Sequence, residues 1–203
     1  IRKKAKVTED IEYYSVLRSV RTIENADVCL FMMDAAEGLQ KQDLSIFYMI
    51  EKNSKGVVVL VNKWDLIEKD QNTMVKFEAD LREQLAPFND VPIIFTSAIE
   101  KQRIHRALET AMRVFENRTR KIATHELNEV MLDIIAATPP PAIKGKYVRI
   151  KFVTQLPTHA PAFAFFCNLP QYITEAYKRF IENRLRERFD FEGVPIKIFF
   201  RKK

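Results

Sequence analysis

The sequence predicts an α/β domain followed by a smaller α+β module, and three observations support this division. In the first part, continuously apolar runs alternate with stretches of helical periodicity, as in a parallel sheet with helices on both faces. Past the polar segment "ENRTRK" (116–121) the order changes to helix, strand, strand, helix, strand. The charge changes as well, because residues 1–118 hold 18 Lys and Arg against 19 Asp and Glu, whereas residues 119–203 hold 15 against 8. We therefore predict domains at 1–118 and 119–203.

The elements of the first part follow from their periodicity and their end signals. A first helix is predicted over 8–23, where apolar residues recur at helical spacing behind Thr8, a residue type that favours helix starts. Gly56 and Pro87 indicate where two later helices have ended. The remaining predicted elements are a strand at 27–34, a helix at 39–52, a strand at 57–61, a helix at 73–85, a strand at 91–97 and a helix at 103–115.

The second part has a different pattern. A helix begins at Thr124, carries Leu127 and Met131 on one apolar face, and ends at three prolines. Two strands at 147–155 and 162–168, a long helix at 171–188 and a strand at 194–201 follow. This order predicts a compact α-β-β-α-β module.

Composition limits the possible functions. No run of 18 apolar residues and no charged-then-apolar leader is present, so we expect a cytoplasmic protein without a membrane partner. Cys29 and Cys167 lie inside apolar runs and are predicted to be buried, reduced thiols. The three histidines share no short spacing with each other or with a cysteine, so no metal ligands are predicted.

The stretch "VVVLVNKWDL" (57–66) carries the most informative motif, because an apolar strand ends in polar residues spelling NKxD. An aspartate there, Asp65, can accept hydrogen bonds from N1 and the 2-amino group of guanine, and adenine lacks this donor pair. Asn62 can join the loops, the Lys63 stem can lie on the base, and a backbone N–H near Ala98 can reach guanine O6. The predicted guanine-binding residues are Asn62, Lys63, Asp65, Ser97 and Ala98. The alternative is an Asx turn that closes a core strand.

At these residues the chain resembles the translation-factor class of P-loop GTPases, and specifically the Der (EngA) family of bacterial tandem-domain GTPases. NKxD and the Ser97-Ala98 pair match the base-recognition elements of that class. "DAAEGLQKQD" (34–43) and NKWD resemble the family more closely, and residues 146–168 and 179–203 resemble its KH-like carboxyl-terminal domain. The resemblance implies a partial P-loop GTPase domain at 1–118 and a KH-like domain at 119–203.

Other elements of the class are absent from the sequence. The chain has four glycines and no GxxxxGK(S/T) loop, the element that binds phosphates and Mg²⁺, and no DxxG precedes its NKxD motif. "IRKKAKVTED" (1–10) resembles the stretch that follows DxxG, the second switch. We therefore expect the carboxyl-terminal piece of a longer protein. The intact protein would bind GTP or GDP with Mg²⁺, whereas this piece alone is predicted to bind GTP weakly or not at all and to hydrolyse none, with no catalytic residue.

The second part holds the basic excess but lacks the GxxG loop through which KH domains bind RNA, since Gly145 and Gly193 are its only glycines. Its candidate RNA contacts are Lys146, Arg149, Lys151, Arg184, Arg186 and Arg188. Helix-dipole stabilisation is the alternative for the three arginines. Five phenylalanines could stack on bases if exposed, although a core role is favoured for most of them: Phe163, Phe165, Phe166, Phe199 and Phe200.

The resemblance implies a GTP-binding and GTP-hydrolysing factor for assembly of the large (50S) ribosomal subunit. Its partners would be rRNA and the other GTPase domains of the same chain. The alternative is a non-hydrolysing RNA-binding or ribosome-assembly adaptor with a degenerate G-like domain. Codons for DxxG and GxxxxGK(S/T) upstream of Ile1 would distinguish the two. A metabolic enzyme is disfavoured, because the sequence shows no paired acid and base and no nucleophile.

Overall fold

The computed structural model describes residue 18, residues 20–68 and residues 70–202. The chain divides into two compact units, the first ending at Phe115 and the second beginning at Glu116. The stretch 1–10, which resembles a second switch, and most of the first predicted helix lie outside the described residues.

The first unit contains a parallel sheet of three strands in the order β1-β2-β3. The strands are β1 (Val28–Asp34), β2 (Gly56–Asn62) and β3 (Ile93–Phe95). β2 lies in the centre and is buried from Gly56 to Val61, which explains why it is apolar at every position. The register pairs Asp34 with Asn62, so the last residues of β1 and β2 lie side by side.

This unit contains the helices α1 (Lys41–Lys52) and α2 (Thr73–Leu85) and most of α3 (Ile104–Thr119), whose last four residues belong to the second unit. Residues 20–25 are also helical. α1 and α2 share one core with β2, to which they contribute Phe47 and Leu81. The other side of β2 meets α3. A Cβ added at Gly56 would lie 2.7 Å from Val114 Cγ1, so this glycine permits the close approach of helix and strand. Both faces of β2 are therefore covered, and the predicted α/β fold is confirmed.

The second unit contains a mixed sheet in the order β4-β5-β6, with β4 antiparallel and β6 parallel to the central strand. Its elements are α4 (Thr124–Ala137), β4 (Ile150–Gln155), β5 (Ala162–Cys167), α5 (Glu175–Arg188) and β6 (Lys197–Lys202). The predicted α-β-β-α-β order is confirmed. α5 begins later than predicted because Pro170–Tyr172 forms a separate 3-10 turn. Thr174 then caps the helix, its hydroxyl accepting the Tyr177 N–H at 3.1 Å.

The core of the second unit lies on one face of its sheet. Leu127 and Met131 of α4 and Ile181 and Leu185 of α5 are fully buried there, together with strand residues of the same face. The predicted core role is confirmed for Phe163 and Phe165, which are both 0% exposed. Phe199, by contrast, is 41% exposed.

The two cysteines lie in different environments. Cys167 is buried, as predicted, whereas Cys29 is only partly buried because β1 is the edge of the described sheet. Burial raises the pKa of both thiols above the ordinary value of 9.0. Within the described part of the chain, no helix has the length and apolarity needed to cross a bilayer.

Candidate nucleotide site and nucleic-acid interface

The predicted guanine-binding residues lie in two loops that the structure brings together. One loop follows β2 at Asn62, and the other follows β3 at Ser97 and Ala98. The Ala98 N–H donates to Asn62 Oδ1 at 3.0 Å, and the Trp64 N–H donates to the Thr96 carbonyl at 3.0 Å. Asn62 therefore joins the two loops, as its position at a strand end predicts.

The NKWD segment has a defined local conformation. Lys63 adopts a left-handed backbone conformation (φ 59°), and Trp64–Leu66 then forms a 3-10 turn. The indole of Trp64 is 3% exposed and packs against the rings of Phe77 and Phe95, at centroid distances of 5.4 and 4.3 Å. Trp64 therefore anchors the segment in the core, and the half-buried Asp65 follows directly from this anchor.

Lys63 forms an ion pair that sequence reasoning missed. Its Nζ lies 2.6 Å from Oδ2 of Asp34, whose other carboxylate oxygen accepts the Ala36 N–H at 2.9 Å. These hydrogen bonds, the one from Lys63 above all, hold the pKa of Asp34 below its ordinary value. The hydrogen bond to Asp34 in turn raises the pKa of Lys63. The available signal was the position of Asp34 at the end of a strand adjacent to β2. The pair orients the Lys63 stem across the strand ends.

The loop after β3 is a closed turn. The Ser97 side chain is fully buried, and its hydroxyl accepts the Glu100 N–H at 3.1 Å. The Ser97 carbonyl accepts the Gln102 N–H at 2.9 Å. Ala98 is exposed beside this turn, but its N–H already donates to Asn62 Oδ1. To accept a hydrogen bond from the Ala98 N–H, a guanine O6 would therefore have to share this donor with Asn62 Oδ1 or displace Asn62 Oδ1 from it.

The residues present fit a guanine base but not the rest of a nucleotide. The amide of Asn62, the carboxylate of Asp65 and the backbone of Ala98 occur at and just after the carboxyl ends of β2 and β3 in the parallel sheet. No phosphate-binding GxxxxGK(S/T) loop occurs in the 203 residues. Among the described residues, no group of three or more His, Cys, Asp or Glu could hold a metal ion.

The six candidate RNA contacts form two groups. Lys146, Arg149 and Lys151 are exposed along β4 and in the loop before it. The three arginines lie on α5, which packs against the core face of the sheet through Ile181 and Leu185. A helix on one face of the sheet therefore carries one group, whereas the other group has Lys151 on the edge strand β4 and its two remaining members in the loop before that strand.

The three helix arginines differ in their surroundings. The Arg186 side chain is 12% exposed and donates to Glu182 Oε1 and to the carbonyls of Phe191 and Val194, each at 3.1 Å. These bonds tie α5 to the loop before β6, so the guanidinium has a structural role and is not available to a phosphate. Arg184 pairs with Glu187 and lies over the Phe180 ring at 5.3 Å, whereas Arg188 is exposed.

Two family models match the chain, and their matched ranges overlap at residues 121–135. The family model of the elongation factor Tu GTP binding domain matches residues 15–135. The model of the KH-domain-like region at the carboxyl terminus of EngA bacterial GTPase enzymes matches residues 121–201. The chain belongs to the elongation factor Tu-type GTP-binding family, in its Der (EngA) branch. It therefore contains part of a GTP-binding domain and a KH-like domain.

Relatives support the assignment to this branch. The GTPase Der of Christiangramia forsetii is 60% identical over 203 residues, which are 100% of this chain and 47% of that protein. The GTPase Der of Porphyromonas gingivalis is 58% identical over 204 residues, again 100% and 47%. The chain thus spans about half the length of these curated relatives.

A crystal structure of Era in complex with MgGDPNP and nucleotides 1506–1542 of 16S ribosomal RNA covers 91% of this chain and 67% of its own, at 20% identity and a TM-score of 0.43.

Proposed function

We propose that this chain is the guanine-recognising and RNA-contacting part of a cytoplasmic factor that binds and hydrolyses GTP during assembly of the large ribosomal subunit. The observation that carries the proposal is the hydrogen bond from the Ala98 N–H to Asn62 Oδ1, which joins the NKWD and Ser97-Ala98 loops. A turn that only closed a strand would not need a second loop attached to it.

Guanine selectivity comes from Asp65 in this proposal. Its carboxylate accepts hydrogen bonds from N1 and the 2-amino group of guanine, while adenine would leave it without donors. The anchored indole of Trp64 supports this role because it limits the movement of the neighbouring residue. The Lys63 stem, oriented by its ion pair with Asp34, covers one face of the base.

RNA binding belongs to the second unit in this proposal. Residues 119–203 carry a net charge of +7, which favours contact with a phosphate backbone. The exposed residues Lys146, Arg149, Lys151 and Arg188 are the proposed contacts, together with the partly exposed Arg184. Their phosphate contacts make the affinity fall as salt is raised. The other GTPase domains of the intact protein are the second proposed partner.

Base recognition is tested with an amino-terminally extended version of the chain that includes a GxxxxGK(S/T) loop. We expect Asp65→Asn to weaken binding of guanosine diphosphate by about a hundredfold or more and to improve binding of xanthosine diphosphate, because the amide presents a donor to the 2-oxo group. Titration calorimetry measures both. Glu68→Gln is the matched control, since it removes an exposed carboxylate three residues away.

Two results would contradict the proposal. If neither nucleotide binds the extended protein or its Asp65→Asn variant, the NKWD segment is a structural turn and the non-hydrolysing RNA-binding adaptor becomes the better function. Phosphate release from GTP by the 203-residue chain alone would contradict the assignment of the phosphate site to residues outside it.

A further inference from the structure

The register of the second sheet assigns its side chains to two faces. Val153 pairs with Phe165, and Phe165 pairs with Phe200, and all three contact the core beneath α4 and α5. The neighbouring pairs, Phe152 with Phe166 and Phe166 with Arg201, point to the opposite side because side chains alternate along a strand. We call this opposite side the outer face, and it also includes Lys197 and Phe199.

The outer face presents aromatic rings to solvent. Phe199 is 41% exposed and Phe152 is 38% exposed. The Phe152 ring lies 6.0 Å from that of the partly exposed Phe166, so the two form a pair on adjacent strands. Exposed aromatic rings on neighbouring strands are typical of a binding surface rather than of a face that meets only water.

The charge of the same strands is of one sign. β4, β5 and β6 contain Lys151, Lys197, Arg201 and Lys202 and no Asp or Glu. The Arg201 guanidinium lies over the Phe199 ring, 5.8 Å from its centroid. Flat rings beside cations, without carboxylates, provide stacking for bases and neutralisation for phosphates.

We propose that the outer face, through Phe152, Phe166 and Phe199, binds single-stranded RNA by base stacking while Lys197 and Arg201 contact its phosphates. The proposal rests on the proposed RNA binding of the second unit and names the surface that performs it. Single strands are the fitting partner because a duplex keeps its bases paired and inaccessible to the rings. An acidic protein partner would be drawn by the cations but would gain nothing from the stacking geometry.

The test uses the full 203-residue chain and a 12-nucleotide single-stranded RNA with 2-aminopurine at its centre. Stacking on a ring quenches this base, so fluorescence reports contact with the outer face and not merely phosphate binding. We expect Phe152→Leu and Phe199→Leu each to weaken binding about tenfold and to reduce the quenching, because leucine keeps the apolar contact and removes the ring. Far-UV circular dichroism confirms that the variants are folded.

Matched controls separate stacking from general effects. Tyr48→Leu removes a ring that is 40% exposed in the first unit and is expected to change neither affinity nor quenching. Arg201→Ala is expected to weaken binding and to lower the salt dependence by about one phosphate contact, whereas Lys41→Ala, an exposed lysine of α1, is expected to change neither.

Four outcomes would overturn the proposal. Unchanged affinity and quenching in both leucine variants would exclude the outer face while leaving RNA binding in place. A loss of RNA affinity only in Arg184→Ala or Arg188→Ala would assign RNA binding to α5. Duplex RNA of the same sequence that binds equally well would exclude stacking. If the unaltered chain binds no single strand, the RNA part of the proposed function fails together with the surface.

Discussion

The two sheets of this molecule place their candidate functional groups differently. β2 of the parallel sheet is buried from Gly56 to Val61 and covered on both sides, so polar side chains occur only from its last residue, Asn62, onwards. The mixed sheet has helices on one face, and its other face exposes Phe152 and Phe199. A strand covered on both faces can present a ligand site only at its end, whereas a half-covered sheet can use a whole face.

The largest expected effect contrasts the two faces of the mixed sheet. Phe165→Ala should lower the free energy of unfolding of the second unit by about 3–5 kcal/mol, because it removes a fully buried ring from the core. Phe199→Ala should cost under about 1 kcal/mol, since that ring is 41% exposed. Urea denaturation followed by far-UV circular dichroism measures both.

The single tryptophan, Trp64, lies in the first unit and provides an internal control for this pair of variants. Its fluorescence transition should not move in either variant. Equal losses from both substitutions would mean that the outer face is packed as tightly as the core face.

The second prediction tests whether both faces of the parallel sheet are covered. Gly56→Ala should destabilise the first unit by about 1–3 kcal/mol, because the new Cβ would lie 2.7 Å from Val114 Cγ1. Urea denaturation followed by Trp64 fluorescence measures the change. Adding Val114→Ala removes the shortest of the new contacts and leaves Val28 Cγ2 at 3.0 Å, so the double variant should lose less than the sum of the two single variants. Additive losses would show that α3 does not press on β2 at this point.

The third prediction concerns the covered face of the mixed sheet. The buried Tyr177 hydroxyl donates to the Thr138 carbonyl at 2.8 Å, and Tyr177→Phe should cost about 1 kcal/mol by leaving this acceptor unpaired. Burial raises the pKa of Tyr177 from 10.0 to about 12. The folded state therefore retains the proton longer than the unfolded state, and stability should fall between these two pH values.

The Phe variant provides the control for this pH dependence, because it cannot ionise. The free energy of unfolding of this variant should therefore fall by less than that of the unaltered chain as the pH rises from 10.0 to about 12. The same alkaline loss in both proteins would assign it to other groups.

The smallest expected effect lies at the strand ends of the parallel sheet. The hydrogen bond from Lys63 holds the pKa of Asp34 below 3.8, so this contribution to stability is complete above that pH and is lost as the pH falls through the folded value. The Lys63 side chain of this pair is 51% exposed, so solvent and salt screen the interaction and the effect on stability is small. An NMR titration of the Asp34 carboxyl should show the lowered pKa, and Lys63→Met should bring it back towards 3.8. An unchanged pKa in that variant would contradict the ion pair.

Much of the fold follows from local sequence signals. The helix predicted at 73–85 occurs as Thr73–Leu85, since its periodicity and the following Pro87 are both local. α3 instead continues four residues past its predicted end at Phe115 to Thr119. Asn117 there donates to Asp190 Oδ1 at 3.0 Å and Arg118 donates to the His159 carbonyl at 2.9 Å. Contacts of such large sequence separation leave no periodic signal.

The candidate nucleotide site shows the same limit. NKWD and Ser97-Ala98 were found from the sequence because a motif at a strand end is a local feature. The ion pair between Asp34 and Lys63 depends on how β1 aligns with β2, and the structural role of Arg186 depends on a loop that returns to α5. Both required the tertiary structure.

By itself, the sequence determined the order of elements, the polar groups after β2 and β3, and the basic charge of the second part. Only the tertiary structure decided which side chains meet solvent. Phe199 and Phe200 are adjacent and identical, yet the first is 41% exposed and the second packs against the core. Alternation along a strand is a local property and assigns the two rings to opposite faces. Which of those faces the helices cover depends on how distant segments pack, and it is this packing that leaves Phe199 exposed.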